Sequence, residues 1–178
     1  MVDYDDQLEL NVAGEENQYL TFQLGDEIFS VPISNVREIL EYERDSMCNV
    51  PMVPEFIKGV LNLRGSVVPI VELSVKLGLG ANEITRRTCI VIMELEFEGQ
   101  GYIIGVMVDK VLHVLDIGSD NIEPTPTFGA SIRTDFIHGI GKVQESFVII
   151  LEIKKVLSTS ELTIMSQLED TKVNEQST

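Results

Sequence analysis

The chain has 178 residues, 44% of them hydrophobic, which is enough for one sizeable core or for two small barrels sharing a seam. Its 13 Lys and Arg against 29 Asp and Glu give a net charge of −16, and no basic cluster stands out. That balance argues against recognition of nucleic-acid phosphates and against a polybasic membrane anchor, and no apolar run approaches the roughly 20 residues needed to span a bilayer, so the chain reads as cytosolic.

Residues 1–16 carry Asp3, Asp5, Asp6, Glu9, Glu15 and Glu16 with no basic residue, the opposite of a secretory signal, and read as an acidic disordered tail. From residue 17 the pattern turns to short strands. Tyr19 to Leu24 alternates Leu20, Phe22 and Leu24 with polar partners, and Gly25-Asp26 breaks it before Glu27 to Val31, which is a hairpin signature. Val36, Ile39 and Leu40 have the spacing of a short helix that unwinds into a strand near Glu38. Val50-Pro51 and Val53-Pro54 form a rigid extended link, because the residue before a proline is pushed out of the α region.

The stretch Phe56 to Leu73 is the most informative. Period-two alternation places Ile57, Gly59, Leu61 and Leu63 on a core-facing side and Lys58, Val60, Asn62 and Arg64 on the outward side. Arg64-Gly65-Ser66 reverses the chain, with Gly65 free to take positive φ, so Arg64 sits at or beside the hairpin tip. An outward face of this kind suits a binding surface better than a reaction centre. Glu72 to Leu77 then predicts one or two helical turns closed by Gly78, and residues 78–85 a loop.

Thr88 to Leu95, Gly101 to Val108 and Val111 to Ile117 are β-branched runs separated by Glu98-Gly99 and Asp109-Lys110. Glu123 to Gly129 reads as an extended Pro-containing loop, and Phe136 to Val143 with Phe147 to Ile153 as the last strand pair. Ser158 and Glu161 stand at capping-box spacing ahead of Leu162, Met165 and Leu168, predicting a C-terminal helix within 159–178 that frays from Glu169 onward. Short strands, turn signals and helices too short to act as crossovers point to an all-β chain of antiparallel barrels. We expect two lobes dividing near 79–86, with no convincing sequence repeat between them.

Chemistry is poorly supplied. His113 and His138 sit in unlike contexts and neither has a Cys or carboxylate at metal-ligand spacing. Cys48 and Cys89, each among apolar neighbours, read as buried reduced thiols. Ser66 lacks the Gly-x-Ser-x-Gly elbow of an exposed nucleophile, and Gly139-Ile140-Gly141-Lys142 lacks the spacing of a phosphate loop, reading instead as a strand with close backbone approach. The expected cofactor and metal content is none, and the expected class is not an enzyme.

Ile57-Lys58-Gly59-Val60-Leu61-Asn62-Leu63-Arg64-Gly65 followed by Val68-Pro69-Ile70-Val71-Glu72-Leu73 resembles the signature of CheW-like chemotaxis coupling proteins. The likeness extends through Tyr19 to Glu27, Ile33 to Ile39, Ile104 to Asp109 and Pro124 to Phe128, covering about Asn17 to Leu157. It implies two SH3-like five-stranded β-barrel lobes packed together within 17–158, with short helices and a C-terminal helix. It implies a non-enzymatic bacterial adaptor that joins the cytoplasmic signalling tips of methyl-accepting chemoreceptors to the regulatory domain of the histidine kinase CheA, with other CheW copies as further partners. Such a protein is cytoplasmic, recruited to membrane-associated receptor arrays, and does not itself enter the membrane. The family's receptor-facing groove, between the lobes, corresponds here to Ile33, Val36, Glu38 and Arg64, and its kinase contacts to Gly59, Phe128 and Ile132. Thr127 and Glu72 depart from the family pattern, where an acidic residue and Asp or Asn are commoner.

Two other readings compete. A CheV-like or other kinase-regulatory module needs a receiver or kinase domain, for which no residues remain. An unrelated SH3-like peptide-binding module needs an aromatic groove, which a chain with no Trp and 6% aromatic content supplies poorly.

Overall fold

The computed structural model describes residues 17–125 and 134–176. Its strands are β1 (Gln18–Leu24), β2 (Glu27–Pro32), β3 (Val36–Glu41), β4 (Met47–Cys48), β5 (Ile57–Leu63), β6 (Ser66–Glu72), β7 (Cys89–Phe97), β8 (Gln100–Val108), β9 (Lys110–Asp116), β10 (Ile122–Glu123), β11 (Ile137–Val143) and β12 (Ser146–Leu151). The helices are α1 (Leu73–Lys76), α2 (Ile153–Val156) and α3 (Thr159–Gln176). The helix expected around Val36 to Leu40 is only a 3-10 turn over Ile33–Asn35, and the chain from Val36, with β-branched Val36 and Ile39, is already strand. In the opposite direction, α3 continues to Gln176, past the point at Glu169 where composition suggested fraying.

The strands form two sheets of six, ordered β10-β11-β12-β2-β1-β9 and β4-β5-β6-β8-β7-β3. Both are mixed and not purely antiparallel, because β12 runs parallel to β2 and β6 parallel to β8. The loop near 79–86 does not separate them. β7 and β8, which follow it, lie in one sheet with β3–β6, while β1 and β2 lie with β9–β12. Period-two alternation looks the same in either pairing sense, so the sequence pattern could not carry this information.

The two sheets are copies of one plan. Phe56-Ile57-Lys58-Gly59 recurs as Phe136-Ile137-His138-Gly139, and Ser66, Val68, Ile70 and Glu72 recur as Ser146, Val148, Ile150 and Glu152. The local geometry recurs as well: the strand register shifts at Gly59 and again at Gly139, and the Glu72 and Glu152 amides donate to the Phe56 and Phe136 carbonyls at 2.7 and 2.9 Å. Val36-Arg37-Glu38-Ile39-Leu40-Glu41 has its counterpart in Val111-Leu112-His113-Val114-Leu115-Asp116. The expectation of no repeat is therefore corrected. Each copy lends its first hairpin to the sheet of the other, and outside the β5–β6 and β11–β12 hairpins few residue identities survive.

Packing follows the same symmetry. One apolar cluster draws on both sheets, with Leu20, Phe22, Phe29, Ile57, Val71, Val91, Met93 and Val106 among its buried members. A second cluster, including Leu61, Val68, Ile70, Ile90 and Ile92, is enclosed by one sheet alone, and a third around Tyr19, Ile117 and Ile150 by the other. β7 shows why its sequence is a nearly continuous apolar run: Val91 and Met93 face the shared core while Ile90 and Ile92 face the lobe's own.

At the seam, Lys76 Nζ lies 2.6 Å from Glu161 Oε2 and over the rings of Phe56 and Phe136, 4.7 and 5.8 Å from their centroids. Those two rings are counterparts in the repeat. The predicted capping box is formed, with the Ser158 amide donating to Glu161 Oε1 at 2.8 Å and the Glu161 amide to Ser158 Oγ at 3.2 Å. Burial pushes the Glu161 carboxyl up, but the Lys76 hydrogen bond, the Ser158 amide, the Lys76 charge and the Ser158 hydroxyl outweigh it and leave the group below its ordinary value. Leu162 and Met165 are buried in the shared core, which ties α3 down. α1 ends as expected at Gly78, whose φ is +82°. Of the two thiols, Cys89 is buried but Cys48 is exposed, since β4 is an edge strand of only two residues.

Candidate functional site

The β5–β6 hairpin closes with Arg64 at φ +52° and Gly65 at φ +88°. Two left-handed residues in a two-residue connection fit the twist of paired strands, and glycine takes that conformation freely while arginine does so at a cost of about 1 kcal/mol. The Gly65 amide donates to Asn62 Oδ1 at 3.0 Å, pinning the turn. The turn aims Arg64 back across the sheet at β3. Its Nη1 and Nη2 donate to the two Glu38 carboxylate oxygens at 2.9 and 3.1 Å, a bidentate pair.

The two partners differ in setting: the Arg64 side chain is 74% exposed and that of Glu38 20%. An exposed ion pair of this kind stabilises the fold by less than about 1 kcal/mol, so its geometry matters more than its energy. It spans the rim of a cleft of about 490 Å³ lined by Arg37, Leu63, Val68, Ile92 and Ile103. All its lining residues belong to the β4-β5-β6-β8-β7-β3 sheet and its β5–β6 turn, so Glu38 and Arg64 meet within one lobe and not in a groove between two.

Ile33 and Val36 are placed differently. Ile33 is buried in the shared core and Val36 is half-buried against it. Of the four residues tied to receptor contact, the fold therefore brings Glu38 and Arg64 together at the surface and sends the other two inward. Val60, expected on the outward polar face, is also buried, because the register shift between Ile57 and Gly59 turns the strand.

Gly59 has a steric reason to be glycine: a Cβ there would lie 2.5 Å from the Cys48 carbonyl oxygen. Gly139 repeats the arrangement, with a Cβ falling 2.7 Å from Ile122 Cγ2 and 2.9 Å from the Glu123 carbonyl oxygen. Phe128, Ile132 and Thr127 lie outside the described residues. Among the described residues no three His, Cys, Asp or Glu converge as a metal site. His138 Nδ1 is 3.3 Å from Glu152 Oε2 at the surface, and His113 exchanges backbone bonds with Thr21 Oγ1.

Sequence reasoning missed the Glu38–Arg64 pair as a pair. Arg64 and Glu38 were both visible, but which strands lie side by side decides that they touch. The repeat sharpens the contrast: the counterparts of Glu38 and Arg64 are His113 and Gln144, so the bidentate pair is confined to one lobe.

Residues 18–161 match the family model of the CheW-like domain. The chain is similar to the chemotaxis protein CheW of Klebsiella aerogenes, 33% identical over 159 residues that span 88% of this chain and 92% of that one. It is also similar to protein FrzA of Myxococcus xanthus, 32% identical over 154 residues covering 83% and 89% of the two chains. Among solved structures, the scaffolding protein TtCheW of Thermoanaerobacter tengcongensis superposes with a TM-score of 0.67 at 32% identity, covering 76% of this chain and 88% of that one.

Proposed function

Because this chain belongs to the CheW-like domain family, we propose that it is a non-enzymatic scaffold of a chemotaxis array, coupling methyl-accepting chemoreceptors to the histidine kinase CheA. The observation that carries the reading is the family match over residues 18–161, which takes in both sheets and the cap of α3. An adaptor acts by holding two partners at once, and a fold of two like lobes joined through a common core offers a separate face on each. Each lobe reads as a curled SH3-like barrel, since each sheet encloses an apolar cluster of its own away from the shared core.

We assign the receptor contact to the cleft rim, with Glu38 and Arg64 meeting the receptor tip and Ile33 and Val36 fixing β3 behind them. The kinase contact is assigned to the β4–β5 edge around Gly59 and to Phe128 and Ile132. No helix among the described residues is long and apolar enough to cross a membrane; the working location is the cytoplasm, at membrane-associated arrays. Affinity capture on the tagged chain from its own cell tests the assignment. Joint recovery of a methyl-accepting receptor and the kinase is expected, and recovery of neither overturns it.

A further inference from the structure

The internal repeat leaves one position unbalanced. Val67 of β6 and Phe147 of β12 are counterparts, yet Val67 is 5% exposed and Phe147 61%. Strand alternation puts Val67 on the face of β6 that carries Val71 into the shared core, and Phe147 on the face of β12 that carries Ile149 and Leu151 there. The helix α3 makes the difference. It packs along β6 and sends Leu162 and Met165 into the cluster that holds Val71. No helix follows α1, the counterpart of α2, because residues 78–88 return to β7 without one, and β12 receives no equivalent cover.

One exposed apolar side chain is ordinary on a protein surface. What flanks this one is not. Lys142 pairs directly with Phe147 across the β11–β12 hairpin. The parallel register of β12 with β2, Ile149 opposite Phe29, brings Glu27 level with Phe147 on its other side. Residues level across a sheet share a face, so Lys142, Phe147 and Glu27 form one row of cation, ring and anion. Both charged residues are exposed, and neither takes part in an ion pair with another described residue. The corresponding row of the other lobe is Asn62, Val67 and Tyr102, without a charge.

A row of that order is complementary to itself. A two-fold axis parallel to β12 lays the Phe147 rings of two copies together and sets Lys142 of each over Glu27 of the other, flanking an aromatic contact with two ion pairs. We propose that the uncovered face of β12 is a contact between two copies of this chain, an isologous dimer centred on Phe147. The inference stands apart from the adaptor reading, and the Glu38–Arg64 pair assigned to the receptor lies on the other sheet.

Sedimentation velocity of the full chain over a concentration series is the test. The parent is expected to show a concentration-dependent dimer that weakens between low salt and about 0.5 M salt, as screened ion pairs require. Phe147→Ser is expected to lower the association constant at least about tenfold, as for loss of an interface anchor, and to leave the thermal midpoint within about 2 °C of the parent. Lys142→Glu and Glu27→Lys should each weaken the dimer, and the double variant, with the charges exchanged, should restore it. A parent that stays monomeric to about 1 mM overturns the proposal, as does a Phe147→Ser chain that dimerises like the parent. A lowered midpoint in Phe147→Ser overturns it by placing the ring in the protein's own packing. Failure of the double variant to recover overturns the two-fold arrangement. A monomeric parent that dimerises only after deletion of residues 1–16 makes that segment, and not a second copy, the native occupant of the face.

Discussion

Replacing Lys76 by Met is expected to cost about 3 kcal/mol of folding stability. The Lys76 and Glu161 side chains are only 15% and 18% exposed, and their 2.6 Å contact is a charge-assisted hydrogen bond shielded from bulk solvent, of a kind that contributes about 1.5–3 kcal/mol. The same ammonium lies over Phe56 and Phe136, which adds about 0.5–1 kcal/mol for each ring. Methionine keeps the stem's packing and recovers part of the aromatic contact through sulfur. It leaves the Glu161 carboxylate with only Ser158 for support. The double variant Lys76→Met/Glu161→Met removes both charges, so its cost should fall below the sum of the two single changes by about 1–2 kcal/mol. Val156 stands at the counterpart of Lys76 in the repeat and is buried, so an apolar side chain is compatible with that position of the plan. Urea unfolding of the four proteins at pH 7, with unchanged m-values, gives both numbers. A single-variant loss under about 1 kcal/mol, or a coupling indistinguishable from zero, would refute the account of the seam.

The pH dependence of stability follows from the same carboxylate. Glu161 is held below its ordinary value when folded, so its contribution is complete above the unfolded carboxylate range and is lost as pH falls from about 5 towards the folded value; Glu161→Gln should flatten that limb of a stability-versus-pH profile. Arg64→Glu is expected to leave circular dichroism unchanged and lower stability by no more than about 1 kcal/mol, since the pair is exposed, while abolishing receptor co-sedimentation by setting like charges face to face. Gly59→Ala and Gly139→Ala should each lower stability by about 1–3 kcal/mol, because backbone carbonyls crowd the new methyl at both sites. If Gly59→Ala loses kinase binding with an unchanged thermal midpoint, the steric account of Gly59 is wrong.

Local signals in the sequence were read correctly where the structure is local. The β1–β2 and β5–β6 hairpins, the glycine stop at Gly78 and the Ser158–Glu161 box all depend on residues a few positions apart. Sheet membership depends on partners far along the chain: β2 pairs with β12 and β6 with β8, and neither pairing leaves a mark on either strand alone. The bulge at Gly59 was invisible for a related reason, since it is defined against β6, and it moved Val60 indoors. The internal repeat was different. Phe-Ile-x-Gly, then Ser-x-Val-x-Ile-x-Glu, stands twice in the sequence, and comparing the two hairpins directly would have found it. It was masked by divergence in the first hairpins, where Gln18-Tyr19-Leu20-Thr21-Phe22 opposes Cys89-Ile90-Val91-Ile92-Met93.

The exchange of hairpins between the two copies bears on how the chain can be made. β1 and β2 leave the ribosome first, but the strand that β2 pairs with on its other side, β12, is the last strand to emerge, and β9 on the far flank of β1 also belongs to the second half of the chain. Neither lobe can therefore be completed from the nascent N-terminal half. The early hairpin, rich in Leu20, Phe22 and Phe29, must wait with its apolar face uncovered, a state prone to aggregation. Loop closure over so long a span makes the final step slow. Synthesis that stops in the 79–86 loop yields no half-adaptor, only an unpaired hairpin beside a sheet that lacks its β7 and β8.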